Sequence, residues 1–209
     1  MLQSKDIFKR LQQKYTIIIP IYNAYEQTKE CITSVLENTT LDYELILIND
    51  CSTDERINEL LDLLEDIDNI KVIHNRTNQG FVKNVNMGIS LSSGDVILLN
   101  SDTIVTPKWL SKMIISAYSN PKIATVTPLT NASDLSVEVL GADKSQRALN
   151  DMAYQTDKLS HNYLKCPTGN GFCLFIKRDV TDDIGVFDET FGRGYGEETD
   201  FTQRAVKNG

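Results

Sequence analysis

Residues 44–64, ELILINDCSTDERINELLDLL, contain a strand, a polar turn and a helix in direct succession. Positions 44–48 are mostly leucine and isoleucine, which is typical of a parallel strand covered on both faces. Positions 54–64 then place isoleucine and leucine at helical spacing, which predicts an amphipathic helix. Ser52 and Glu55 have the spacing of a capping box, so we expect the helix to begin at the end of the polar turn.

The same alternation of short apolar runs and amphipathic stretches extends along the chain. It predicts further strands at 16–21, 70–73, 96–99, 123–126 and 171–176. It predicts further helices at 25–37, 80–91, 107–118 and 198–207, one of them with a cap at Thr106 and a proline at its first position, Pro107. Such alternation indicates an α/β fold with a Rossmann-like, mainly parallel central sheet and helices on both faces.

The composition bounds the class of protein and its partners. A chain of 209 residues fits one domain, and 41% hydrophobic with 24% charged residues favours a globular class over a disordered or fibrous one. The net charge of −8 is the wrong sign for binding nucleic acid phosphates. No segment approaches the roughly 20 apolar residues that cross a bilayer, and the four cysteines form no CxxC pair. We therefore expect a cytoplasmic protein without a transmembrane segment and without a nucleic acid partner.

Three predicted strands end in similar polar segments. The first ends in PIYN at 20–23, the second in NDCS at 49–52 and the fourth in NSD at 100–102. Open α/β sheets bind ligands outside the carboxyl ends of their strands, so we expect these side chains to meet at one edge. Two carboxylates and several amides at one edge indicate a polar ligand and a divalent cation.

Two common phosphate-binding loops are absent from the sequence. The dinucleotide motif GxGxxG would follow the first strand, where this chain has PIYN at 20–23, and GxxxxGK[ST] occurs nowhere. A diphosphate therefore has to be bound in another way. Mg²⁺ or Mn²⁺ held by one or two carboxylates and completed by the phosphates themselves needs few dedicated residues.

Five segments together resemble a known family, and three of them contain the polar strand ends described above. They are IPIYN at 19–23, NDCSTD at 49–54, NQG at 78–80 with NMG at 86–88, LNSD at 99–102 and GRGYGEETDF at 192–201. In this order they resemble the glycosyltransferase family 2 group of GT-A fold enzymes, from about residue 15 to the end of the chain. The segment GVFDE at 185–189 is similar to bacterial enzymes that build O-antigen and capsule-type polysaccharides.

The resemblance implies a donor site and a metal site. Asp50 would hold the nucleobase, the PIYN turn would lie against base and ribose, and Lys83 would supply positive charge. The implied donor-binding residues are Pro20, Tyr22, Asn23, Asp50, Asn78, Gly80, Lys83, Asn100 and Ser101. Asp102 would bind Mn²⁺ or Mg²⁺ as the last residue of the family's D-x-D motif, in which this chain has Asn100 for the first aspartate.

The resemblance also implies the reaction. A hydroxyl group of a glycan or lipid-linked acceptor would attack the anomeric carbon of a nucleotide-sugar donor in an inverting displacement, with UDP as the commonest family choice and dTDP the next. Glu198 occupies the position of the catalytic base, with Glu197 as the second candidate. Asp200, Gly169 and Asn170 are assigned to the acceptor side. The setting would be bacterial cell-surface polysaccharide synthesis, in the cytoplasm or at the inner face of the membrane.

The sequence predicts three parts and one long polar insertion. We expect an N-terminal extension at 1–14, a nucleotide-sugar-binding half at 15–127 and an acceptor and catalytic half at 128–209, truncated before the family's downstream histidine. Residues 127–165 are polar and aperiodic, and such long stretches are usually functional, so we expect an excursion with a short helix around 146–154.

Simpler interpretations stay open for the acidic residues. Asp50 could only form a turn, Asp102 could be a loop carboxylate near a helix start, and Glu197 with Glu198 could only complement a helix dipole. Two other functions also stay open. A nucleotidyltransferase would share the sheet and the metal carboxylate, and a non-catalytic module would bind a sugar nucleotide or glycan without turnover.

Overall fold

The computed structural model describes residues 4–130, 145–156, 164–192 and 194–209. Its strands are β1 (Tyr15–Ile21), β2 (Tyr43–Asn49), β3 (Ile70–His74), β4 (Val96–Leu99), β5 (Thr125–Val126) and β6 (Cys173–Ile176). Its helices are α1 (Ser4–Leu11), α2 (Tyr25–Asn38), α3 (Glu55–Asp62), α4 (Phe81–Leu91), α5 (Trp109–Tyr118), α6 (Gln146–Thr156), α7 (Arg178–Ile184) and α8 (Glu197–Asn208), with a 3₁₀ turn at Glu189–Phe191. The predicted strands and helices are confirmed within a few residues.

The strands form one six-stranded sheet in the order β3-β2-β1-β4-β6-β5. The first four are parallel, whereas β6 runs antiparallel to both β4 and β5. The predicted mainly parallel sheet is therefore confirmed. Because β1 lies between β2 and β4, the segments that follow these three strands leave the sheet at the same edge.

The core has one layer on each face of the sheet. Side chains alternate along β1, so Ile17 and Ile19 join one buried cluster and Ile18 joins the other. Helices α2, α3 and α5 cover the first face, and α4 and α8 cover the second. Burial on both faces explains why β1 and β2 are apolar almost throughout.

The predicted capping box before α3 is wrong. Asp54 is the N-cap, and its carboxylate accepts the Arg56 amide at 3.1 Å. The Ser52 hydroxyl instead accepts the amide of Asn23 at 2.9 Å. Ser52 has a tertiary partner on the loop after β1, and a partner so distant in sequence is invisible to a local capping rule.

The predicted start of α5 is also two residues early. Lys108 has a left-handed φ of 65°, so the regular helix begins at Trp109, whose amide bonds to the carbonyl of Thr106 at 3.1 Å. Pro107 therefore lies in the preceding turn rather than at the first helical position.

The long polar excursion is described only in part. The helix expected near 146–154 is confirmed as α6, and Gln146 Nε2 fixes it to the Val105 carbonyl at 3.3 Å. Residues 131–144 and 157–163 lie outside the described residues. Among the helices that the structure describes, none has both the length and the apolar character to cross a bilayer.

Candidate active site

The carboxyl ends of β2, β1 and β4 lie side by side at one edge of the sheet. Neighbouring strands are about 4.8 Å apart, so the ends of β2 and β4 are separated by roughly 10 Å across β1. The polar segments predicted from the sequence therefore leave the sheet close together. We call 20–23, 49–52 and 100–102 the rim segments.

Asn23 joins the first two rim segments. Its amide donates to Ser52 Oγ at 2.9 Å, and its Oδ1 accepts the amides of Thr53 at 2.8 Å and Asp54 at 3.1 Å. These bonds explain why Asn23 adopts a positive φ of 58°. Asn23 therefore shapes the loops, and Tyr22, with half of its surface exposed, is the side chain that this turn offers to a ligand.

Asp50 fixes the loop that follows β3. It is buried, and its carboxylate accepts hydrogen bonds from the Gln79 amide at 2.7 Å, the Gly80 amide at 2.9 Å and Asn75 Nδ2 at 3.0 Å. Burial alone would raise the pKa of Asp50, but these donors together with Asn84 outweigh it and lower the pKa.

Asp50 is thus an ionised anchor between two loops rather than a simple turn former. A carboxylate offers about four acceptor sites, and with Asn84 the protein itself supplies four donors. The predicted contact of Asp50 with a nucleobase therefore stays a prediction.

The loop at 75–80 contributes the predicted residues Asn78 and Gly80. Asn78 Nδ2 donates to the Asp50 carbonyl at 3.3 Å, so its side chain also supports the loop. Gly80 precedes α4 with a φ of 85°, a conformation that favours glycine. Both residues therefore shape this loop, and their part in donor binding stays a prediction.

Lys83 lies outside the rim segments. It is exposed on α4 and lines a cleft of about 610 Å³. The cleft is lined by Asn75, Arg76, Thr77, Gln79, Lys83, Asn86, Met87, Ser90 and Glu189, none of which belongs to a rim segment. Lys83 shares this cleft with the loop at 75–80 that Asp50 anchors, and its role as a source of positive charge for the donor stays a prediction.

The third rim segment presents oxygen ligands. The Asn100 amide donates to the Phe172 carbonyl at 2.9 Å, and the Asn100 carbonyl accepts the Thr103 amide at 3.1 Å. These bonds fix the backbone, while the Asp102 side chain is exposed and Ser101 is half-buried. One accessible carboxylate beside amide and hydroxyl oxygens fits Mg²⁺ or Mn²⁺, which keep positions open for water and phosphate.

Glu198 is tied to the third rim segment through β6. Its Oε1 accepts the Gly171 amide at 3.0 Å, and the carbonyl of the next residue, Phe172, accepts the Asn100 amide. Glu198 is thus connected to the segment that ends in Asp102 through two hydrogen bonds and the backbone of Gly171 and Phe172. Glu198 is half-buried, so solvent and ligands can reach it.

Glu197 lies in a different environment. Only 2% of its surface is exposed, and its Oε2 is buried without a hydrogen bond partner among the described residues. Burial, followed by the neighbouring Glu198 carboxylate, raises the pKa of Glu197. Of the two candidates, Glu198 is the one that an acceptor hydroxyl can approach.

Two of the predicted acceptor-side residues have structural partners. The Asp200 carboxylate pairs with Arg204 Nε at 2.7 Å, one turn along α8. Gly169 is buried, its amide donates to Thr202 Oγ1 at 3.0 Å, and a Cβ there would collide with Leu174. Gly169 is thus packed inside the fold, and its assignment to the acceptor side stays a prediction.

Asn170 forms the turn before β6. Its amide donates to Thr127 Oγ1 at 3.0 Å, and its Oδ1 accepts the Phe172 amide at 3.3 Å. Asn170 thereby sets the direction in which the Gly171 amide points. Thr127 and Phe172 were not singled out in the sequence because their roles use one hydroxyl and one carbonyl group.

Asn49 and His74 form a contact that sequence reasoning missed. They are paired in the register of β2 and β3, so the strand-end rule could have found them. Asn49 Oδ1 accepts the Ser52 amide at 2.9 Å, so Asn49 Nδ2 is a donor to His74 Nδ1 at 3.2 Å. The proton of a neutral His74 is then on Nε2, facing Glu65 at 3.9 Å.

This tautomer bears on a group that could otherwise hold a metal ion. Single ligand atoms of Asp62, Glu65 and His74 lie within 4.8 Å of one another, and all three residues are exposed. With its Nε2 protonated, His74 offers no lone pair to a cation there. The rim at Asp102 remains the better candidate for a metal.

Comparison with known proteins agrees with this geometry. The family described as Glycosyl transferase family 2 matches residues 16–185. The chain is 32% identical over 109 residues to an uncharacterized glycosyltransferase of Haemophilus influenzae, covering 52% of this chain and 34% of that protein. It is 25% identical over 183 residues to the O-antigen chain rhamnosyltransferase RfbN of Salmonella typhimurium, covering 84% of this chain and 56% of that protein. The matches thus span about a third to just over half of these relatives' lengths.

Two solved structures share the fold. GalNAc-T7 with UDP, GalNAc and Mn²⁺ has a TM-score of 0.69 at 16% identity, covering 92% of this chain and 40% of that one. The mannosyltransferase PcManGT from Pyrobaculum calidifontis, in complex with GDP-Man and Mn²⁺, has a TM-score of 0.66 at 14% identity, covering 98% of this chain and 59% of that one. These neighbours are GT-A fold glycosyltransferases, so the expected fold class is confirmed.

Proposed function

The chain belongs to glycosyl transferase family 2, and on that premise we propose that it is an inverting, metal-dependent glycosyltransferase. A sugar moves from a nucleoside diphosphate donor to a hydroxyl group of a glycan or lipid-linked acceptor. The observation that carries the proposal is the path from Glu198 through the Gly171 amide and the Phe172 carbonyl to Asn100. This path supports Glu198 as the base for a reaction at the segment that ends in Asp102.

The donor side is formed by loops that support one another. Asn23 joins the loops after β1 and β2, and Asp50 joins the loop after β2 to the loop after β3. The ring of Tyr22 is exposed on this surface and can lie against a base or ribose, and Asp50 would approach the base from the loop that it anchors. The fold neighbours that contain UDP and GDP-Man support a nucleotide donor.

The metal would be held by Asp102, with Asn100 and Ser101 oxygens beside it. When bound there, Mn²⁺ or Mg²⁺ supplies Lewis acidity that neutralises charge on the departing diphosphate. The Mn²⁺ in both fold neighbours supports a divalent ion. Asp102 is well placed because its exposed carboxylate leaves the remaining coordination positions to phosphate and water.

Glu198 would act as the general base. In a single displacement the acceptor oxygen forms a bond to the anomeric carbon, the bond to the diphosphate oxygen breaks, and the hydroxyl proton passes to a carboxylate. The hydrogen bond from Gly171 fixes Oε1 of Glu198 and so orients the carboxylate. Glu197 is the second candidate, and its burial is the argument against it.

The biological setting of the proposal is bacterial cell-surface polysaccharide synthesis. Similarity to the Salmonella rhamnosyltransferase over most of this chain supports it. UDP is the first donor nucleotide to test and dTDP the next. The reaction would take place in the cytoplasm or at the inner face of the membrane, where nucleotide sugars and lipid-linked acceptors meet.

A nucleotide-binding screen with and without Mn²⁺ tests the function. We expect one of UDP, dTDP or GDP to raise the melting temperature only when Mn²⁺ is present, because a ligand that binds the folded state stabilises it. The corresponding sugar nucleotide should then release its nucleoside diphosphate when acceptor glycans are added. Asp102→Ala should abolish both effects, whereas Asp66→Ala, an exposed carboxylate beyond α3, should preserve them.

The same screen separates the rival functions. If no nucleoside diphosphate stabilises the protein, the proposed function is wrong. Binding without any sugar transfer or donor hydrolysis would favour a non-catalytic sugar-nucleotide module. Formation of a sugar nucleotide from a nucleoside triphosphate would favour a nucleotidyltransferase, although the PIYN turn after β1 lacks the basic, glycine-rich loop that such enzymes use.

A further inference from the structure

Tyr195 adopts a backbone conformation that is rare for a bulky residue, in a turn where its amide is hydrogen-bonded to the buried Glu197 carboxylate. Gly194, Tyr195 and Gly196 have φ angles of 116°, 77° and 105°, so three successive residues lie in the region that favours glycine. A tyrosine there carries a conformational cost that a glycine would not. Its side chain is 98% exposed, so burial does not offset this cost.

Positive φ angles at non-glycine residues allow a comparison with Tyr195. In the described part of the chain they occur at Asn23, Ala24, Cys51, Lys108 and Tyr195. The side-chain oxygen of Asn23 accepts two backbone amides, which stabilises its turn, and Asn is also tolerant of this region. Tyr195 combines a bulky ring, a positive φ and nearly complete exposure. Cys51 and Lys108 are also exposed at positive φ, so the feature that distinguishes Tyr195 is its large aromatic ring open to a ligand.

The backbone on both sides of Tyr195 is fixed on the core. The Gly194 amide donates to the Phe191 carbonyl at 3.2 Å, and a Cβ on Gly196 would lie 3.0 Å from the Phe191 ring. Phe191 itself packs against the buried cluster below α4 and α8. The turn therefore presents the ring of Tyr195 from an anchored position.

That position is directly before the proposed base. Tyr195 precedes α8 by two residues, and Glu198 lies in the first turn of the same helix. A group that contacts the Tyr195 ring is therefore bound at the turn that leads into the helix carrying Glu198. Of the two substrates, the acceptor is the one that brings this hydroxyl.

The local charge restricts what this ring can hold. Asp188 and Glu189, which precede this turn, are exposed and Glu198 is half-buried, whereas Glu197 is buried and Asp200 is paired with Arg204. The accessible carboxylates disfavour lipid phosphates and acidic sugars but not a neutral sugar ring. Neutral sugars present an apolar C–H face, and an aromatic ring with one apolar face and one hydroxyl suits it.

We propose that Tyr195 is a stacking platform for a neutral sugar ring of the acceptor glycan. This inference rests on the proposed function and narrows it, since it selects a sugar rather than a lipid phosphate as the part of the acceptor nearest to Glu198. Tyr195 binds and orients the acceptor, and it takes no part in proton transfer.

Saturation-transfer NMR with simple probes tests the platform. The probes are the methyl glycosides of glucose, galactose, mannose and rhamnose, with methyl glucuronide and farnesyl phosphate as charged alternatives, each with UDP and Mn²⁺ present. In the wild type we expect saturation of ring C–H protons of at least one neutral glycoside. Tyr195→Phe should retain this signal, because the aromatic face remains.

Tyr195→Gly should lose at least 80% of that signal without lowering the melting temperature, because glycine adopts the same φ freely. Tyr195→Asn is a second variant suited to this turn and should behave alike. Tyr154→Ala is the matched control, since Tyr154 is 77% exposed on α6, and it should leave the signal unchanged.

Each other result overturns the platform. Equal signals from the wild type and Tyr195→Gly, or none from any neutral glycoside in the wild type, would contradict it. Saturation of farnesyl phosphate or the glucuronide alone would assign the ring to a charged ligand instead. Nucleoside diphosphate binding is measured separately by melting temperature, so this inference can fail while the proposed function stands.

Discussion

The Gly171 amide donates a 3.0 Å hydrogen bond to Glu198 Oε1, and the same glycine faces the Glu198 carboxylate with its Cα. A Cβ built on Gly171 would overlap that oxygen and lie 3.1 Å from the carboxylate carbon. The position of the proposed base is therefore set by a residue far away in the chain, two positions before β6. This relationship leads to the first prediction.

Gly171→Ala should displace the Glu198 carboxylate and reduce turnover. Misplacement of a reacting group by about 1 Å can cost about 100-fold in rate, and we expect a loss in kcat of that order. Donor affinity should change little. The matched control is Gly94→Ala, where the nearest atom to a new Cβ is the Lys14 carbonyl at 3.5 Å, an ordinary contact. Steady-state kinetics on both variants check this, and an unimpaired Gly171→Ala enzyme would contradict the role of Glu198.

Glu198→Gln and Glu197→Gln should differ in turnover. Removing a general base costs typically 100- to 10,000-fold, so we expect a loss in kcat of about that size for Glu198→Gln with the donor affinity retained. Glu197→Gln should retain most activity, because its carboxylate is buried. Measured kcat and nucleotide affinity for the two variants decide the assignment. The opposite pattern would identify Glu197 as the base.

Glu197 should also make stability depend on pH. Its pKa is raised in the fold, so its contribution to stability is fully present below its ordinary value of 4.5 and is lost as the pH rises through the folded value. Glu197→Gln should therefore be more stable than the wild type at pH 8, by on the order of 1 kcal/mol, the scale of one buried unsatisfied group.

Urea unfolding at several pH values measures this difference. The advantage of Glu197→Gln should vanish near pH 4, where the wild-type carboxyl is protonated. Glu59→Gln, an exposed change on α3, should show no such trend. A variant that is less stable than the wild type at pH 8 would mean that the Glu197 carboxylate is satisfied by partners.

Asp50→Asn should destabilise the protein at neutral pH, and this effect should decrease at acidic pH. The pKa of Asp50 is lowered in the fold, so its contribution is present above its ordinary value of 3.8 and is lost as the pH falls through the folded value. Because the carboxylate accepts two amides and the Asn75 side chain, we expect a loss of about 1–3 kcal/mol at pH 7.

The same variant should weaken nucleotide binding, since Asp50 positions the loop at 75–80. Asp66→Asn, which changes an exposed carboxylate, is the control for a simple loss of charge. Urea unfolding at pH 7 and pH 3.5 checks the stability, and melting-temperature shifts check the nucleotide. Equal stability of wild type and Asp50→Asn at pH 7 would contradict the anchoring role.

Much of the fold was predictable because its signals are local. Apolar runs at 44–48 and 96–99 became β2 and β4 almost unchanged, since strands buried on both faces need continuous apolar sequence. The helix starts were less predictable. Ser52 has the side chain of a cap but bonds to Asn23, a residue 29 positions earlier.

The residues of the candidate site were likewise predictable only in part. The strand-end rule brought Asp50 and Asp102 to one edge, because parallel strands end on the same side. The same rule did not distinguish a residue that faces a ligand from one that holds a loop. Gly169 and Asp200 proved to have partners inside the protein, and only packing could reveal them.

The sequence by itself determined the class of fold, the order of its strands and helices and the family, because periodicity and ordered motifs depend on residues close together in the chain. Tertiary structure alone decided that Glu197 is buried while Glu198 is reachable, and that Gly171 holds the latter in place. Adjacent glutamates look alike in sequence. Their burial, their pKa values and their partners are set by elements far away in the chain, which only the folded sheet brings to them.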